Sequence, residues 1–372
     1  MDNPLKKILD RATSFFQKTE GESVVGIDIG SSSIKVVQLK KKGGKAVLET
    51  YGAIALGPYI EAGEVGQVTN LPADKLSQAL ADVIKESGVT TKNAVLSIPA
   101  TASLIFTIEL PPSVSEKDFA SIIPTEARKY IPVPISEVSL DWWAIPKREE
   151  SVDEEDGAEK EKTEVLVTAI HNDTLTKYND ILKSANLQSS SFEIEVFSAI
   201  RSTFGHELTS LLLIDMGASK TKLSIIERGI VKQFHTVNRG AQDITTSLST
   251  SLGIPFSKAE EIKTGFGMIA GKTDEKAAEI MRSGFDYILS EINSVVLNYE
   301  KKYNKTVSKV ILTGGGSLLK GFADMATENF RSEVSLGNPF SKVETPIFLD
   351  SVLKNIGPEF SVAVGLALRK LQ

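Results

Sequence analysis

The chain has 372 residues, 41% of them hydrophobic and 24% charged, with a formal charge of −6 and no cysteine. That length exceeds one typical core and predicts two domains or one bilobed unit, while the missing thiols exclude disulfides, thiolate catalysis and thiolate zinc sites. Residues 148–164 hold nine acids and three bases, which leaves 39 charges of each sign elsewhere, a balance that argues against a nucleic-acid partner.

Only His171, His206 and His235 could supply imidazole ligands, and none lies near another in sequence, which argues against a zinc enzyme. No apolar run approaches the roughly 20 residues that span a bilayer, and the N-terminus lacks the apolar centre of a signal peptide, so a cytoplasmic location is expected.

In chain order, Leu5, Ile8, Leu9, Ala12, Phe15 and Phe16 fall on one helical face, with Asn3 placed to cap and Pro4 at the first helical position. Residues 1–20 therefore read as an amphipathic helix. Lys6, Lys7, Arg11 and Lys18 on its polar side suit an anionic membrane surface or a partner groove; the alternative is docking on its own body.

Val24 to Leu39 follows as two apolar strands joined by a turn of Gly30 and three serines, with the acid Asp28 inside the first strand. Ala46 to Leu56 continues as strand, and Pro72 to Ser87 has helical spacing closed by Gly88. Strands are predicted at Ala94 to Ile98, Leu104 to Leu110, Leu140 to Ile145, Val165 to Ile170 and Ser191 to Glu195, and helices at Glu116 to Tyr130 and Thr174 to Ala185. The acidic segment 148–164 cannot bury anything and reads as a solvated hairpin tip.

Leu211 to Ile226 then repeats the first hairpin. Asp28 aligns with Asp215, Gly30 with Gly217, Ser32 with Ser219 and Lys35 with Lys222, at a constant offset of 187 residues, half the chain. Such a repeat points to two related halves facing each other across a cleft, where two polar turns can grip one polyphosphate. Strand alternation leaves open whether Lys35 and Lys222 face the turn or solvent. Further on come a strand at Gly229 to Val237, the turn Asn238-Arg239-Gly240, helices at Asp243 to Leu252, around Ala259 to Lys263 and at Ala277 to Tyr303, a strand at Val310 to Thr313 ending in Gly314, Gly315 and Gly316, and a helix from Leu318. Strands alternating with helices define the α/β class.

The two D-x-G hairpins and the late VILTGGG (Val310 to Gly316) resemble the phosphate, phosphate and adenosine motifs of the actin-like ATPases. More closely, Glu126 to Trp143, Ala259 to Lys263, Asn338 to Phe340 and Phe360 to Lys370 are similar to the type IV pilus assembly PilM family, relatives of the cell-division protein FtsA. The resemblance runs from about residue 22 to the end. It implies a bilobed actin-like (ribonuclease H-like) fold: a first lobe at 21–92 completed by about 194–210 and 341–372, an inserted FtsA/PilM-type subdomain at 93–193, and a second lobe at 211–340.

It also implies ATP and Mg²⁺ as cofactors. Gly30, Ser31, Ser32, Ser33 and Lys35 would meet the β and γ phosphates from one side, and Gly217, Ala218, Ser219 and Lys220 from the other. Asp28 and Asp215 would hold Mg²⁺ through water. Gly314 to Gly316 would lie against the adenine and α phosphate, Gly240 near the phosphates, and Glu260 and Lys263, one helical turn apart, would reach the ribose hydroxyls and the adenine edge. Glu195 falls where many actin-like ATPases have an E-P-x-A-A glutamate, here with Val196 in place of the proline. It is the one candidate to orient water, so hydrolysis is expected to be slow or incidental. The implied role is an ATP-binding scaffold of type IV pilus or related type II secretion assembly. The cytoplasmic tail of a PilN-like inner-membrane protein would be its partner, with other pilus components and self-association beside it, and recruitment to the membrane would run through that partner. An actin-like small-molecule kinase and an FtsA-like division filament are the alternatives. The second is disfavoured because the chain ends at Gln372, just after a predicted core helix, where FtsA carries its membrane helix.

Overall fold

The computed structural model describes residues 21–145, 162–205, 209–269 and 271–371. The expected N-terminal helix over 1–20 and most of the acidic tip lie outside them. The elements are β1 (Ser23–Ile29), β2 (Ser33–Lys42), β3 (Lys45–Ala55), α1 (Ala73–Glu86), β4 (Asn93–Ile98), β5 (Ser103–Leu110), α2 (Phe119–Ala127), β6 (Val138–Ala144), β7 (Thr163–His171), α3 (Asn172–Ser184), β8 (Gln188–Ile194), α4 (Glu195–Thr203), β9 (Ser210–Met216), β10 (Thr221–Glu227), β11 (Ile230–Val237), α5 (Ala241–Leu252), α6 (Phe256–Gly265), α7 (Glu275–Tyr303), β12 (Val307–Thr313), α8 (Phe322–Asn329), β13 (Glu333–Leu336), α9 (Asp350–Ile356) and α10 (Ser361–Leu371). They fall into a larger unit drawn from Met1–Ser97 and Ile181–Gln372 and a smaller one, Ile98–Asp180.

The larger unit contains two five-stranded sheets of the same order, β3-β2-β1-β4-β8 and β11-β10-β9-β12-β13. In each, three consecutive strands pair antiparallel and the next is parallel to the first, β4 on β1 and β12 on β9. The central strands β1 and β9 are buried on both faces, which is why they read as near-continuous apolar runs. The sequence repeat is thus a repeat of whole sheets.

Two glycines set the packing of the first sheet. A Cβ on Gly26 of β1 would lie 2.0 Å from the Ala363 carbonyl oxygen of α10, and one on Gly365 of α10 would lie 1.9 Å from the Ser198 carbonyl oxygen of α4. Backbone touches backbone at both places, so α10, buried nearly all round, wedges between β1 and α4. Behind the second sheet, Ile244, Leu248, Phe285, Ile288, Leu289, Tyr299 and Phe322 from α5, α7 and α8 build the core. Full burial of a side chain such as Phe285 contributes about 1.5–3 kcal/mol. The 29-residue α7 starts where the Asp274 carboxylate accepts from the Lys276 and Ala277 amides, and stops at Asn304 in the left-handed region.

In the smaller unit β5, β7 and β6 form an antiparallel sheet. Alternate residues Ile108, Leu110, Val165, Val167 and Ala169 turn one face onto Phe119, Ile123 and Ala127 of α2.

Four expectations are corrected. β4 and β8, placed by sequence in the inserted subdomain at 93–193, pair in the first sheet, because β4 is apolar on both faces and extends β1. Glu195 is not the end of a strand: β8 stops at Ile194 and Glu195 opens α4. The helix expected over 116–130 is a 3₁₀ turn at Glu116–Asp118 followed by α2. The helix expected from Leu318 begins at Phe322, because Gly321 takes a left-handed conformation (φ +88°) after a 3₁₀ turn at Gly315–Leu318.

Candidate functional site

Each sequence repeat folds into the same tight turn. β1 ends at Ile29 and Gly30 donates its N–H to the Ser33 carbonyl at 3.0 Å; β9 ends at Met216 and Gly217 donates to the Lys220 carbonyl at 3.0 Å. A Cβ on either glycine would stand 3.1 Å from the oxygen its own amide reaches. A side chain at either glycine would thus crowd the closure of its own turn, a nearer reason for glycine than the approach of a ligand.

Both turns have their carbonyls tied from behind. In the first, Ser31 O accepts from Thr69 N–H (2.8 Å) and Ser32 O from Leu56 N–H (2.9 Å); in the second, Gly217 O accepts from Ala241 N–H (3.0 Å) and Ala218 O from Gln242 N–H (2.9 Å). Among the described residues nothing accepts from the amides of Ser31, Ser32, Ala218, Ser219 or Lys220. Successive unclaimed N–H groups around a turn form a concavity for an anion. Gly240 stands behind the second turn, where a Cβ would be 2.4 Å from Ala218 O, and its own amide donates to Asp243 Oδ2 at 2.8 Å. It backs the turn that was expected to meet the phosphates, near which it was placed.

In register, Asp28 faces Lys35 and Asp215 faces Lys222 across their hairpins. The ammonium groups then part company. Lys35 Nζ donates to Ser33 Oγ at 2.7 Å, whereas Lys222 Nζ lies 2.6 Å from Glu195 Oε2 and 3.2 Å from Asp215 Oδ2. Burial pushes the Glu195 carboxyl above its ordinary range, with Asp215 and Asp28 adding to the rise and Lys222 opposing it. Burial also works against the Lys222 charge, yet Glu195, Asp215 and Asp28 outweigh it and hold that ammonium well above its usual range. Asp28 is raised by burial against the pull of Lys35, Lys222 and Ser97, whose Oγ donates to Asp28 Oδ1 at 2.9 Å.

These groups line one cavity of about 380 Å³, within the size range of small-molecule clefts. Every residue expected at the site borders it except Gly240: Asp28, Gly30, the three serines, Lys35, Glu195, Asp215, the second turn, Glu260, Lys263 and Gly314 to Gly316. Glu260 and Lys263 share a helix face as expected, but they turn it first to α5. Lys263 Nζ is 2.7 Å from Glu260 Oε2 and donates to Ala241 O (3.1 Å) and Thr245 Oγ1 (2.8 Å). Burial lowers the Lys263 ammonium against the opposing charge of Glu260. Gly314, at φ +81° and ψ 159°, donates its N–H to Pro358 O at 2.9 Å; a Cβ on it would meet Met216 O at 2.4 Å and Asp215 Oδ1 at 2.5 Å.

Other participants escape a reading of the sequence. The loop between β3 and α1 crosses to the second half: Val68 donates its N–H to Gln242 Oε1, and Gly66 lies so close to Glu260 that a Cβ would be 2.9 Å from its Oε1. Pro358, Glu359 and Ser361, at the start of α10, also border the cavity. The glycine at 66, at φ +86°, is the one local signal any of these gives.

Residues 26–371 match the family described as type IV pilus assembly protein PilM. Among curated relatives, FtsA of Helicobacter pylori is 25% identical over 260 residues, covering 61% of this chain and 52% of that protein. FtsA of Neisseria meningitidis is 29% identical over 175 residues, 41% of either chain. The chain spans about half the length of the curated relatives it matches. Among solved structures, the PilM–PilN type IV pilus biogenesis complex superposes with a TM-score of 0.77 at 23% identity, over 94% of this chain and 98% of that one. EutJ from Carboxydothermus hydrogenoformans gives 0.52 at 15% over 98% and 97%, and MreB5 of Spiroplasma citri bound to ADP gives 0.51 at 10% over 93% and 95%. The fold is the actin-like ATPase fold, and with its family match over nearly all of its length the chain belongs to the type IV pilus assembly protein PilM family.

Proposed function

We propose that this chain is a nucleotide-binding scaffold of type IV pilus assembly that takes ATP with Mg²⁺ in the cleft and the cytoplasmic tail of a PilN-like inner-membrane protein as its partner. The observation that carries the nucleotide reading is the pair of turns with tied carbonyls and unclaimed amides opening on one cavity beside buried carboxylates. Family membership and the likeness to a PilM–PilN complex support the partner.

The turns Ser31 to Ser33 and Ala218 to Lys220 would receive the phosphates, aided by Lys35. Gly314 to Gly316, Glu260 and Lys263 would border the nucleoside end. No group of three or more acidic or imidazole side chains among the described residues could hold a metal unaided. That fits Mg²⁺, which keeps several waters and is bound through one or two carboxylates and substrate phosphates; Asp28 and Asp215 would be those carboxylates. Bound there, the metal would neutralise phosphate charge. Glu195 is the candidate to orient a water, but Lys222 already occupies one of its oxygens, which supports slow turnover at most and a nucleotide that sets the arrangement of the lobes. No helix among the described residues is long and apolar enough to cross a membrane; a PilN-like partner would bring the chain to the inner membrane.

The test is calorimetry with ATP and Mg²⁺ on the wild-type chain and on Asp28→Ala and Asp215→Ala. Each variant is expected to abolish tight binding; normal binding by both would overturn the cleft reading. Retention of the chain by an immobilised PilN-like tail tests the partner. ATP turnover stimulated more than about tenfold by a sugar or carboxylic acid would instead make it a phosphotransferase.

A further inference from the structure

At the outer edge of the first sheet two apolar side chains stand almost wholly in solvent: Ile347 is 88% exposed and Phe348 81%. They belong to a 3₁₀ turn (Ile347–Leu349), in which Leu349 N–H reaches Pro346 O at 2.9 Å and which leads directly into α9. Val352, 46% exposed, follows Phe348 by four residues and extends the same face. Lone exposed hydrophobics are ordinary on proteins; a ridge of three that the core does not use calls for a partner.

The ridge is anchored beside a basic hairpin. Glu344 bridges to Val47 of β3, its N–H donates to Ala46 O at 2.8 Å, and its Oε1 lies 2.5 Å from Lys45 Nζ. Phe348 is four residues further on, at most about 14 Å away along the chain. The tip between β2 and β3 reads Lys40-Lys41-Lys42-Gly43-Gly44-Lys45, and residues 40–50 and 341–354 together carry six lysines against three acids, a local +3 in a chain of −6. Glu344 pairs with Lys45, Glu49 accepts from Gln38 Nε2 (2.6 Å) and its Oε1 lies 4.0 Å from Lys40 Nζ, and Asp350 accepts from Thr345 Oγ1 (3.0 Å), so the acids offset only part of the lysine charge.

We propose that this ridge and hairpin form a docking surface for an anionic phospholipid bilayer. Ile347 and Phe348 enter the interfacial region, and Lys40 and Lys42 face the headgroups, while Lys45 stays paired with Glu344. Apolar side chains with lysines close by in the same edge region match that chemistry, because a bilayer surface rewards both the burial of the one and the charge of the other. A second copy of this chain fits less well: the ridge offers on the order of 400 Å², half of the roughly 800 Å² per partner that a stable protein interface buries. So small a contact binds weakly alone and gains by effective concentration once a membrane-anchored partner holds the chain nearby.

Co-sedimentation of the full chain with vesicles tests this, comparing phosphatidylcholine alone with a phosphatidylglycerol mixture. The wild type is expected to partition into the anionic vesicles, and the double variants Ile347→Ser with Phe348→Ser and Lys40→Glu with Lys42→Glu to lose at least about tenfold of that partition. Both pairs are on the surface, and unchanged urea unfolding would show that the fold is intact. Three results overturn the proposal. The wild type fails to sediment with anionic vesicles; both variants sediment as it does, which puts any bilayer contact elsewhere in the chain; or the ridge variant changes the mass in light scattering and leaves vesicle partition alone, which makes the ridge a self-association surface.

Discussion

Substituting Gly314 by alanine presses on the point where the glycine triplet meets the second turn. At φ +81° and ψ 159° the residue occupies a region that only glycine adopts freely, so any Cβ there costs about 1–3 kcal/mol in backbone strain. The added methyl would also sit 2.4 Å from Met216 O and 2.5 Å from Asp215 Oδ1, and such overpacking costs a further ~1–3 kcal/mol. The total of about 2–6 kcal/mol is a large part of the roughly 5–15 kcal/mol that holds a domain together. Gly315→Ala is the matched comparison. Its φ is not positive and its nearest neighbour would be Glu359 Oε2 at 3.6 Å, so a change within about 1 kcal/mol in either direction is expected. Urea unfolding followed by far-ultraviolet circular dichroism measures both. Equal midpoints for the two variants would refute the argument, because the chemistry is the same at adjacent positions and only conformation and contact differ.

Lys222→Met should cost about 3–5 kcal/mol, since it leaves the buried Glu195 without its nearest cation; adding Glu195→Gln should recover much of that, and strictly additive costs in urea would sink the idea. Gly365→Ala should destabilise by at least ~1–3 kcal/mol by prising α10 from the Ser198 carbonyl, which thermal unfolding would reveal and an unchanged Tm would contradict. Glu227 is lowered overall: burial works to raise it, but bonds from Lys305 and Tyr299 prevail. A depressed carboxylate lends stability that is present above the unfolded value of about 4.5 and is lost as pH falls through the folded one, so Glu227→Gln should flatten the acid limb of the stability curve. Parallel acid limbs in wild type and variant would count against it.

The parts of the site that were legible in the sequence are those whose geometry is made locally. Gly30 and Gly217 close four-residue turns, and the hairpins place Asp28 opposite Lys35 and Asp215 opposite Lys222 by register alone. What stayed hidden depends on distant chain. Ile194 passes into Glu195 with no glycine or proline to mark the change from strand to helix, so Glu195 reads as the last residue of a strand and α4 goes unforeseen. Whether Lys222 turns to Glu195 could not be read from alternation, because the partner arrives from another element. β13 has four residues, too few to show a period, and β4 and β8 declare their sheet only by pairing.

The crossing of the loop after β3 has a mechanical consequence. Any motion that parts the two halves must first break the Val68 to Gln242 bond and draw Gly66 away from Glu260. Gln242 directly follows Ala241, and the amides of both hold the carbonyls of the second turn. The clasp that resists opening and the brace that shapes the turn thus pull on the same helical end, so a load applied to either half reaches the floor of the cavity within a few bonds.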